Sequence, residues 1–456
     1  MAIATTNPAT GDVVKTFQPH SDAEVDARIA RAMEAFETLR AMDIANRAAL
    51  MHKAGEITKE REEDMARLMT LEMGKPILQA RGEAAKCALV CYFYADHAES
   101  YLSDDVVEFA HARAYRKYLP LGPVLAVMPW NYPFWQVYRF IAPALMAGNV
   151  GLLKHASNVP QCALMMEEIF REAGFPIGCF QTLLIGGSRV ERVLRDERVR
   201  AATLTGSEPA GSAVASVCGE LIKPTVLELG GSDAFIVMPS ADLDRAVEIG
   251  IKARTQNNGQ SCIAAKRFII DADIYDDFRD RFVAEIEALT IGDPMEEDTD
   301  IGPLVDMDAR DEIVGQVDAA VKAGATLVTG GKALERPGSF MSPGVLENIP
   351  HDSAAYSEEI FGPVALFFKA NGIEDALRIA NDSPFGLGGA VFTENEVEMM
   401  RVVDDLESGA TFVNSMTASD PRLPFGGIKR SGYGRELASE GIREFCNVKT
   451  VSIAKL

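Results

Sequence analysis

Leu204-Thr205-Gly206-Ser207-Glu208-Pro209-Ala210-Gly211 reads as the end of a strand, a glycine turn and the start of a helix. Ala201–Thr205 supplies a short apolar run, and helical spacing takes over across Glu208–Cys218. Pro209 suits a first helical turn, where a missing N–H breaks no bond. Gly206 lets a phosphate approach the backbone, and the opening amides of the helix offer donors and a positive dipole end. The same turn can also be a plain helix cap. No G-x-G-x-x-G run stands anywhere in the chain.

Working outward, the pattern repeats on both sides. Upstream, the strand candidates Val124–Val127, Val150–Leu153 and Thr182–Ile185 alternate with helical stretches near Phe140–Ala147, Gln161–Ala173 and Arg189–Arg195. Downstream, Val226–Leu229 leads into a second series that starts at Ala234–Val237, Ala246–Thr255 and Lys266–Asp271 and runs to Gly409–Val413. Short apolar runs separated by helices imply an α/β fold with parallel sheets. The N-terminal part differs. Asn7-Pro8-Ala9-Thr10-Gly11 is a turn, and Ser21-Asp22-Ala23-Glu24 is a capping box that opens a helical region reaching about Arg81. Alternation over Val106–Leu119 (Val107, Phe109, Tyr115, Tyr118) predicts a projecting ribbon, and Asn447–Lys455 an edge or inter-subunit strand.

With 456 residues the chain has room for about three domains. A formal net charge of −22, with no basic patch, excludes nucleic acid and anionic membranes as partners. No apolar run approaches the roughly 20 residues of a membrane span, and the first residues carry no secretory signal. The seven cysteines are odd in number and scattered, which argues against a disulfide framework and for the reducing cytoplasm. Cys87 and Cys91 lie one helical turn apart, but His97 is the only further ligand nearby. Core packing is therefore expected there, and no metal site.

Three positions carry chemistry. Thr255-Gln256-Asn257-Asn258-Gly259-Gln260-Ser261-Cys262 delivers one thiol from a polar loop, and a thiol in such a setting can ionise and attack a carbonyl. Asn131, in Pro129-Trp130-Asn131-Tyr132-Pro133, follows the first strand of the sheet, where it either closes a turn or aims an amide at an oxyanion. Glu228 ends a strand ahead of two glycines, as a cap or as a base beside a water. Nucleophile, oxyanion donor and base form an acyl-transfer set, and no histidine stands where a Cys-His or Ser-His hydrolase needs one.

Pro129-Trp130-Asn131, Thr205-Gly206-Ser207, Glu228-Leu229-Gly230-Gly231, Gly259-Gln260-Ser261-Cys262, Glu359-Ile360-Phe361-Gly362-Pro363 and Pro424-Phe425-Gly426-Gly427 together resemble the aldehyde dehydrogenase superfamily, in its order and spacing along nearly the whole chain. The resemblance implies that Cys262 attacks an aldehyde and that Asn131 and the Cys262 amide hold the oxyanion. Hydride then passes to a nicotinamide, and Glu228 activates the water that hydrolyses the thioester. It also implies a Rossmann-type cofactor domain (1–100 and 121–229), an α/β catalytic domain (230–436) and a small β oligomerisation ribbon (101–120 and 437–456), assembled as a homodimer or homotetramer.

The family's cofactor positions fall on Trp130, Lys154, Ser157, Gly187, Gly206, Ser207, Leu229, Glu359 and Phe361, with Lys154 at the adenosine ribose and Glu359 at the nicotinamide ribose. Many NAD-preferring members have a glutamate where this chain has Ser157. Serine removes its repulsion of a 2′-phosphate and leaves Lys154 to pair with that group, so NADP is the expected cofactor and NAD the weaker one. Around the substrate the chain is similar to succinic semialdehyde dehydrogenases of the bacterial NADP-linked branch. Arg139, expected on the same helix as Asn131, would clamp the substrate carboxylate, with Ser419 and Phe425 beside it. Gln256 departs from that pattern, because many such enzymes have a second arginine there. The alternatives are a broad-specificity or CoA-acylating aldehyde dehydrogenase and an inert binding or structural protein. Glu228 argues against acylation of CoA, and the intact Cys262, Glu228 and Asn131 argue against inertness.

Overall fold

Ser21 opens the first long helix, Asp22–Ala41, with the expected reciprocal cap: its hydroxyl accepts from the Glu24 amide at 3.3 Å, and the Glu24 carboxylate accepts from the Ser21 amide at 2.6 Å. The computed structural model describes residues 2–108 and 112–454. The helical region breaks into Asp22–Ala41, Ile44–Glu60, Glu62–Met73 and Ile77–Leu102. One break is forced by Gly74, whose φ of +79° is left-handed, followed closely by Pro76. Cys87 and Cys91 are both buried on the last of these helices, and among the described residues no three ligating side chains gather for a metal.

The first sheet has six strands in the order Gly432–Tyr433, Thr225–Glu228, Ala201–Thr205, Pro123–Met128, Val150–His155, Phe180–Thr182. All are parallel except the short Gly432–Tyr433. That last strand belongs to the first sheet although it lies within 230–436, so the chain returns to the cofactor layer late. The strand expected over Thr182–Ile185 ends at Thr182, and Phe180 is its first residue. Pro123–Met128 is central, and the chain winds outward from it first to one side and then to the other. A crevice therefore opens at the carboxyl ends of Pro123–Met128 and Ala201–Thr205, the switch point where such sheets take ligands. Asn131 and Gly206 follow strands at this edge, and Glu228 ends one.

The second sheet runs Thr326–Thr329, Gly344–Glu347, Val364–Ala370, Ala265–Asp271, Asp233–Val237, Gly388–Phe392, Ala410–Val413, parallel except at its first pair. Asp233–Val237, Ala265–Asp271 and Gly388–Phe392 are buried along their whole length, so that Lys266, Arg267 and Asp271 of the middle strand are enclosed with its apolar residues. Cys262 precedes Ala265–Asp271, so the amino edge of this sheet faces the carboxyl edge of the first. Outside both, Cys446–Ala454 pairs antiparallel with Ala112–Pro120, which pairs with Asp105–Glu108. Phe109 and Lys455, part of the expected ribbon, lie outside the described residues. No described helix is long and apolar enough to cross a membrane.

Candidate active site

The thiol loop is built by backbone conformations that few residues tolerate. Asn257 and Asn258 take φ of +55° and +57°, and Gly259 takes +75°. A Cβ on Gly259 would lie 2.4 Å from the Gly362 carbonyl carbon and 2.5 Å from the Pro363 nitrogen. Only glycine lets this loop press against Glu359–Pro363, so two separate motifs are one contact.

Buried polar groups hold the loop from every side. Asn258 Nδ2 donates to the carbonyls of Gly74 and Pro303 at 2.9 Å each, and its Oδ1 accepts from the Gly302 amide at 2.8 Å. Arg254 donates to the Gly259 carbonyl at 2.7 Å. Lys266, fully buried, donates to the carbonyls of Ser261 and Cys262 at 2.7 Å each and pairs with Glu359 at 2.9 Å. Arg254 and Lys266 carry no exposed surface, and nothing in the local sequence announces them. The usual expectation for such residues is a solvated face.

Asn131 sits in the turn before the helix Trp135–Ala147, not on it, so Arg139 alone is helical. The Asn131 carboxamide is fixed at both ends: Oδ1 accepts from Gln136 Nε2 at 3.1 Å and Nδ2 donates to the Gln260 carbonyl at 3.1 Å. Asn257 Nδ2 donates to the Asn131 carbonyl at 2.8 Å. One Nδ2 hydrogen of Asn131 is left over, and the Cys262 amide donates to no described residue. Glu83, from the helix Ile77–Leu102, accepts from the amides of Phe134 and Trp135 at 3.0 and 2.9 Å and so caps the helix after Asn131. It is ion-paired with the buried Lys75.

Cys262 lies in a cavity of about 170 Å³ together with Gln79, Lys86, Trp135, Arg139, Gln256, Ser419 and Phe425. Burial pushes its thiol up to about 12, against the pull of Arg139 and Lys266. The loop is polar, but Asn257, Asn258 and Gln260 direct their amides largely to the backbone of other segments rather than to the thiol, which is left in a buried site. Glu228 is buried with neither oxygen hydrogen-bonded, and it does not line the cavity. A Cβ on Gly426 would lie 2.6 Å from its Oε1. Burial and the nearby Glu436 carboxylate push the Glu228 carboxyl well above the usual range. Glu436 is ion-paired with Arg139, whose Nη2 donates to Thr205 at 3.2 Å and whose guanidinium lies 4.6 Å from the Phe425 ring centre. Arg139 therefore reaches the cavity with its charge already shared.

The expected cofactor positions gather in the crevice of the first sheet. Ser207 is the residue before the helix Glu208–Glu220 and its hydroxyl makes no cap bond, so the first amides there remain free. A Cβ on Gly187 would meet nothing within 4 Å, and one on Gly206 only a Leu204 methyl at 3.7 Å. Lys154, next to last in the strand Val150–His155, has no ion-pair partner among the described residues, and burial lowers its proton affinity. Ser157 follows it, half-buried. Leu229 packs under Gly211, where a Cβ would lie 2.6 Å from its side chain. Trp130 meets Phe361 edge to face, 5.9 Å between ring centres, beside Glu359. Free helix amides, open glycine backbone and an unpaired ammonium fit a phosphate-bearing dinucleotide. A larger concavity of about 640 Å³ between Tyr275 and Arg378 has no thiol, and its Arg279, Arg378 and His351 are already paired with carboxylates.

Residues 1–451 match the model of the aldehyde dehydrogenase family. The chain is 57% identical over 457 residues to succinate-semialdehyde dehydrogenase (NADP(+)) 1 of Mycobacterium tuberculosis strain H37Rv, covering all of both chains. It is 55% identical over 454 residues to a probable succinate-semialdehyde dehydrogenase (NADP(+)) of Synechocystis, again end to end. Among solved structures it is similar to succinic semialdehyde dehydrogenase from Streptococcus pyogenes in complex with NADP+, with a TM-score of 0.98, 38% identity and full coverage of both chains.

Proposed function

The chain belongs to the aldehyde dehydrogenase family, and from that premise we propose that it oxidises succinic semialdehyde to succinate with NADP. The observation that carries this reading is the cavity itself: its wall holds the Cys262 thiol together with Lys86, Arg139 and Ser419, and behind the thiol stand the free Cys262 amide and Asn131, which does not itself line the cavity but donates to the Gln260 carbonyl. In this mechanism the Cys262 thiol gives up its proton to solvent in the cavity, and its sulfur adds to the aldehyde carbon as the C=O π pair moves to the oxygen. The oxyanion of the thiohemiacetal takes the free Asn131 Nδ2 hydrogen and the Cys262 amide, both fixed before substrate arrives. Arg139 and Lys266 offset part of the cost of the buried thiolate. NADP, when bound, is the hydride acceptor. Glu228 then takes a proton from the water that attacks the thioester, and its raised proton affinity suits it to that task. To reach the water, its side chain must leave the Gly426 contact.

Ser207, Gly206 and Gly187 would hold the pyrophosphate, Glu359 a ribose, and Trp130, Leu229 and Phe361 the rings. Lys154 with Ser157 supports NADP over NAD, because an ammonium and a hydroxyl accept a 2′-phosphate that a glutamate would repel. Arg139, Lys86 and Ser419 give the cavity its preference for a carboxylate. Further parts of the same proposal are a cytoplasmic location and a homodimer or homotetramer joined through the ribbon at 101–120 and 437–456. The ribbon exposes Val106, Val448 and Ile453.

Steady-state kinetics with succinic semialdehyde and butanal, each with NADP and NAD, test the reading. Succinic semialdehyde with NADP is expected to give the highest kcat/KM. Faster turnover with NAD at equal concentration, or a preference for butanal, would overturn it.

A further inference from the structure

We propose that His155 is the positioning residue for the oxyanion donor: its ring Nε2 pins the Pro133 carbonyl and so hangs the turn that carries Asn131 from the end of the strand Val150–His155. The inference rests on the reading of Asn131 as an oxyanion donor, and it concerns a residue that does not line the thiol cavity.

The ladder places the ring. Met128 and His155 are paired at the carboxyl ends of Pro123–Met128 and Val150–His155, and the chain leaves the sheet directly after Met128. The turn that follows brings the Pro133 carbonyl 2.8 Å from His155 Nε2. Successive side chains of a strand point to opposite faces, so His155 turns away from Lys154. The tautomer follows from the Ala156 amide, which donates to Nδ1 at 2.9 Å and thereby places the ring proton on Nε2. The Met128 carbonyl lies 3.3 Å from Nδ1, a longer contact that a proton there would make only at the expense of the Ala156 bond. Burial, joined by the Lys154 charge, pushes the ring down to about 4 against the pull of the Pro133 and Met128 carbonyls, so the imidazole stays neutral.

Pro133 is where the turn lacks a hold of its own. Proline has no N–H, and among the described residues no main-chain amide takes the Pro133 carbonyl. Its neighbours are held from other directions: the Asn131 carbonyl by Asn257 Nδ2, the Tyr132 carbonyl by the Gln136 amide at 3.2 Å, and the amides of Phe134 and Trp135 by Glu83. Both Pro133 and His155 are buried, so without the imidazole the carbonyl would be an acceptor with no partner, and the turn would shift to find one. Asn131 lies two residues away, and its amide must already be aimed when the oxyanion forms. His155 therefore acts through Asn131 and not on the reacting atoms.

Two measurements on the full-length protein test this. The first is a double-mutant cycle, with His155→Asn and His155→Gln each made in wild type and in Asn131→Ala. Asparagine keeps an acceptor for the Ala156 amide but is too short to reach Pro133, whereas glutamine reaches it. Both succinic semialdehyde and butanal are used, because they form the same oxyanion. His155→Asn is expected to lower kcat/KM for either aldehyde about 10- to 100-fold, the cost of a small misplacement at a reacting centre, with KM for NADP little changed. His155→Gln should recover most of that loss. In the Asn131→Ala background His155→Asn should cost less than about threefold, because the group it positions is gone. Equal losses in the two backgrounds, no loss in His155→Asn, or a His155→Gln as poor as His155→Asn overturns the proposal while Asn131 keeps its role. Should Asn131→Ala itself leave kcat/KM unchanged, Asn131 is not the oxyanion donor, and the reading of the site falls together with the proposal. The second measurement uses wild type alone, with its six histidines labelled with ¹⁵N. One ring should carry its proton on Nε2 only and stay so between about pH 5.5 and 8, where a free histidine titrates. Spectra in which every ring titrates across that range, or in which no non-titrating ring is protonated at Nε2, overturn the proposal independently of turnover.

Discussion

Arg139 and Glu436 are ion-paired in a space with almost no solvent, and Glu228 stands beside them without a hydrogen bond of its own. Three charged residues from three distant parts of the chain therefore share one buried net charge. The Glu436 carboxylate raises the proton affinity of Glu228, and Arg139 lowers it. Glu436→Gln removes the raising influence and frees the lowering one, so the Glu228 carboxyl should ionise at lower pH. The acid limb of the kcat–pH profile is expected to move downward in that variant. An unmoved limb, or one displaced upward, would show that Glu228 does not feel this pair or is not the base.

Selectivity between charged and neutral aldehydes should depend on pH in a definite direction. Burial and the Arg139 charge hold Lys86 down to about 8, with Cys87, Glu83 and Asp420 pulling the other way. Below that value the ammonium is charged and attracts the substrate carboxylate; above it the attraction is lost. The kcat/KM ratio of succinic semialdehyde to its methyl ester should therefore fall as pH rises through about 8. Taking the ratio cancels the ionisation of Cys262, which affects both substrates alike. A flat ratio between pH 7 and 9 removes Lys86 from carboxylate binding.

At the cofactor crevice, Ser157→Glu places a carboxylate where the chain now offers a hydroxyl near the unpaired Lys154. Efficiency with NADP should drop about 10- to 100-fold, since a like charge near a phosphate costs a few kcal/mol, while efficiency with NAD holds or improves. Equal effects on the two cofactors would remove Ser157 from the 2′-position.

Gly259→Ala tests the thiol loop. The substitution puts a side chain at φ +75° and directs its Cβ into the Gly362–Pro363 backbone. The conformational part alone costs on the order of 1–3 kcal/mol. The clash adds to it, so both the melting temperature and the rate of Cys262 alkylation should change. A variant with unaltered stability and thiol reactivity would show that the loop is looser than its contacts imply.

The sequence made some of this legible because strand ends announce themselves. Asn131, Gly206 and Glu228 each follow a short apolar run, and Cys262 precedes one, so a parallel fold brings them together with few other options. The capping box at Ser21 was equally plain, being a local device. Lys86, Lys266 and Glu436 were not legible. Each is a charge on an ordinary-looking segment, and its burial depends on partners far along the chain: Ser419 for Lys86, Glu359 for Lys266, Arg139 for Glu436. The raised pKa of Cys262 was missed for the same reason. Polar neighbours in sequence predict a polar environment only when their groups are not already engaged elsewhere, as the Asn258 amide is with Gly74 and Pro303 and the Gln260 side chain with Val305.

The central claim is that the substrate passes through a thioester on Cys262 that Glu228 alone helps to release. Glu228→Gln keeps the shape of the side chain and removes the base. Incubated with succinic semialdehyde and NADP, then acid-quenched and digested, that variant is predicted to carry a succinyl group on the peptide containing Cys262, while wild type carries almost none. Mass spectra showing no acyl group on that peptide, or the same small amount in both proteins, would contradict the account.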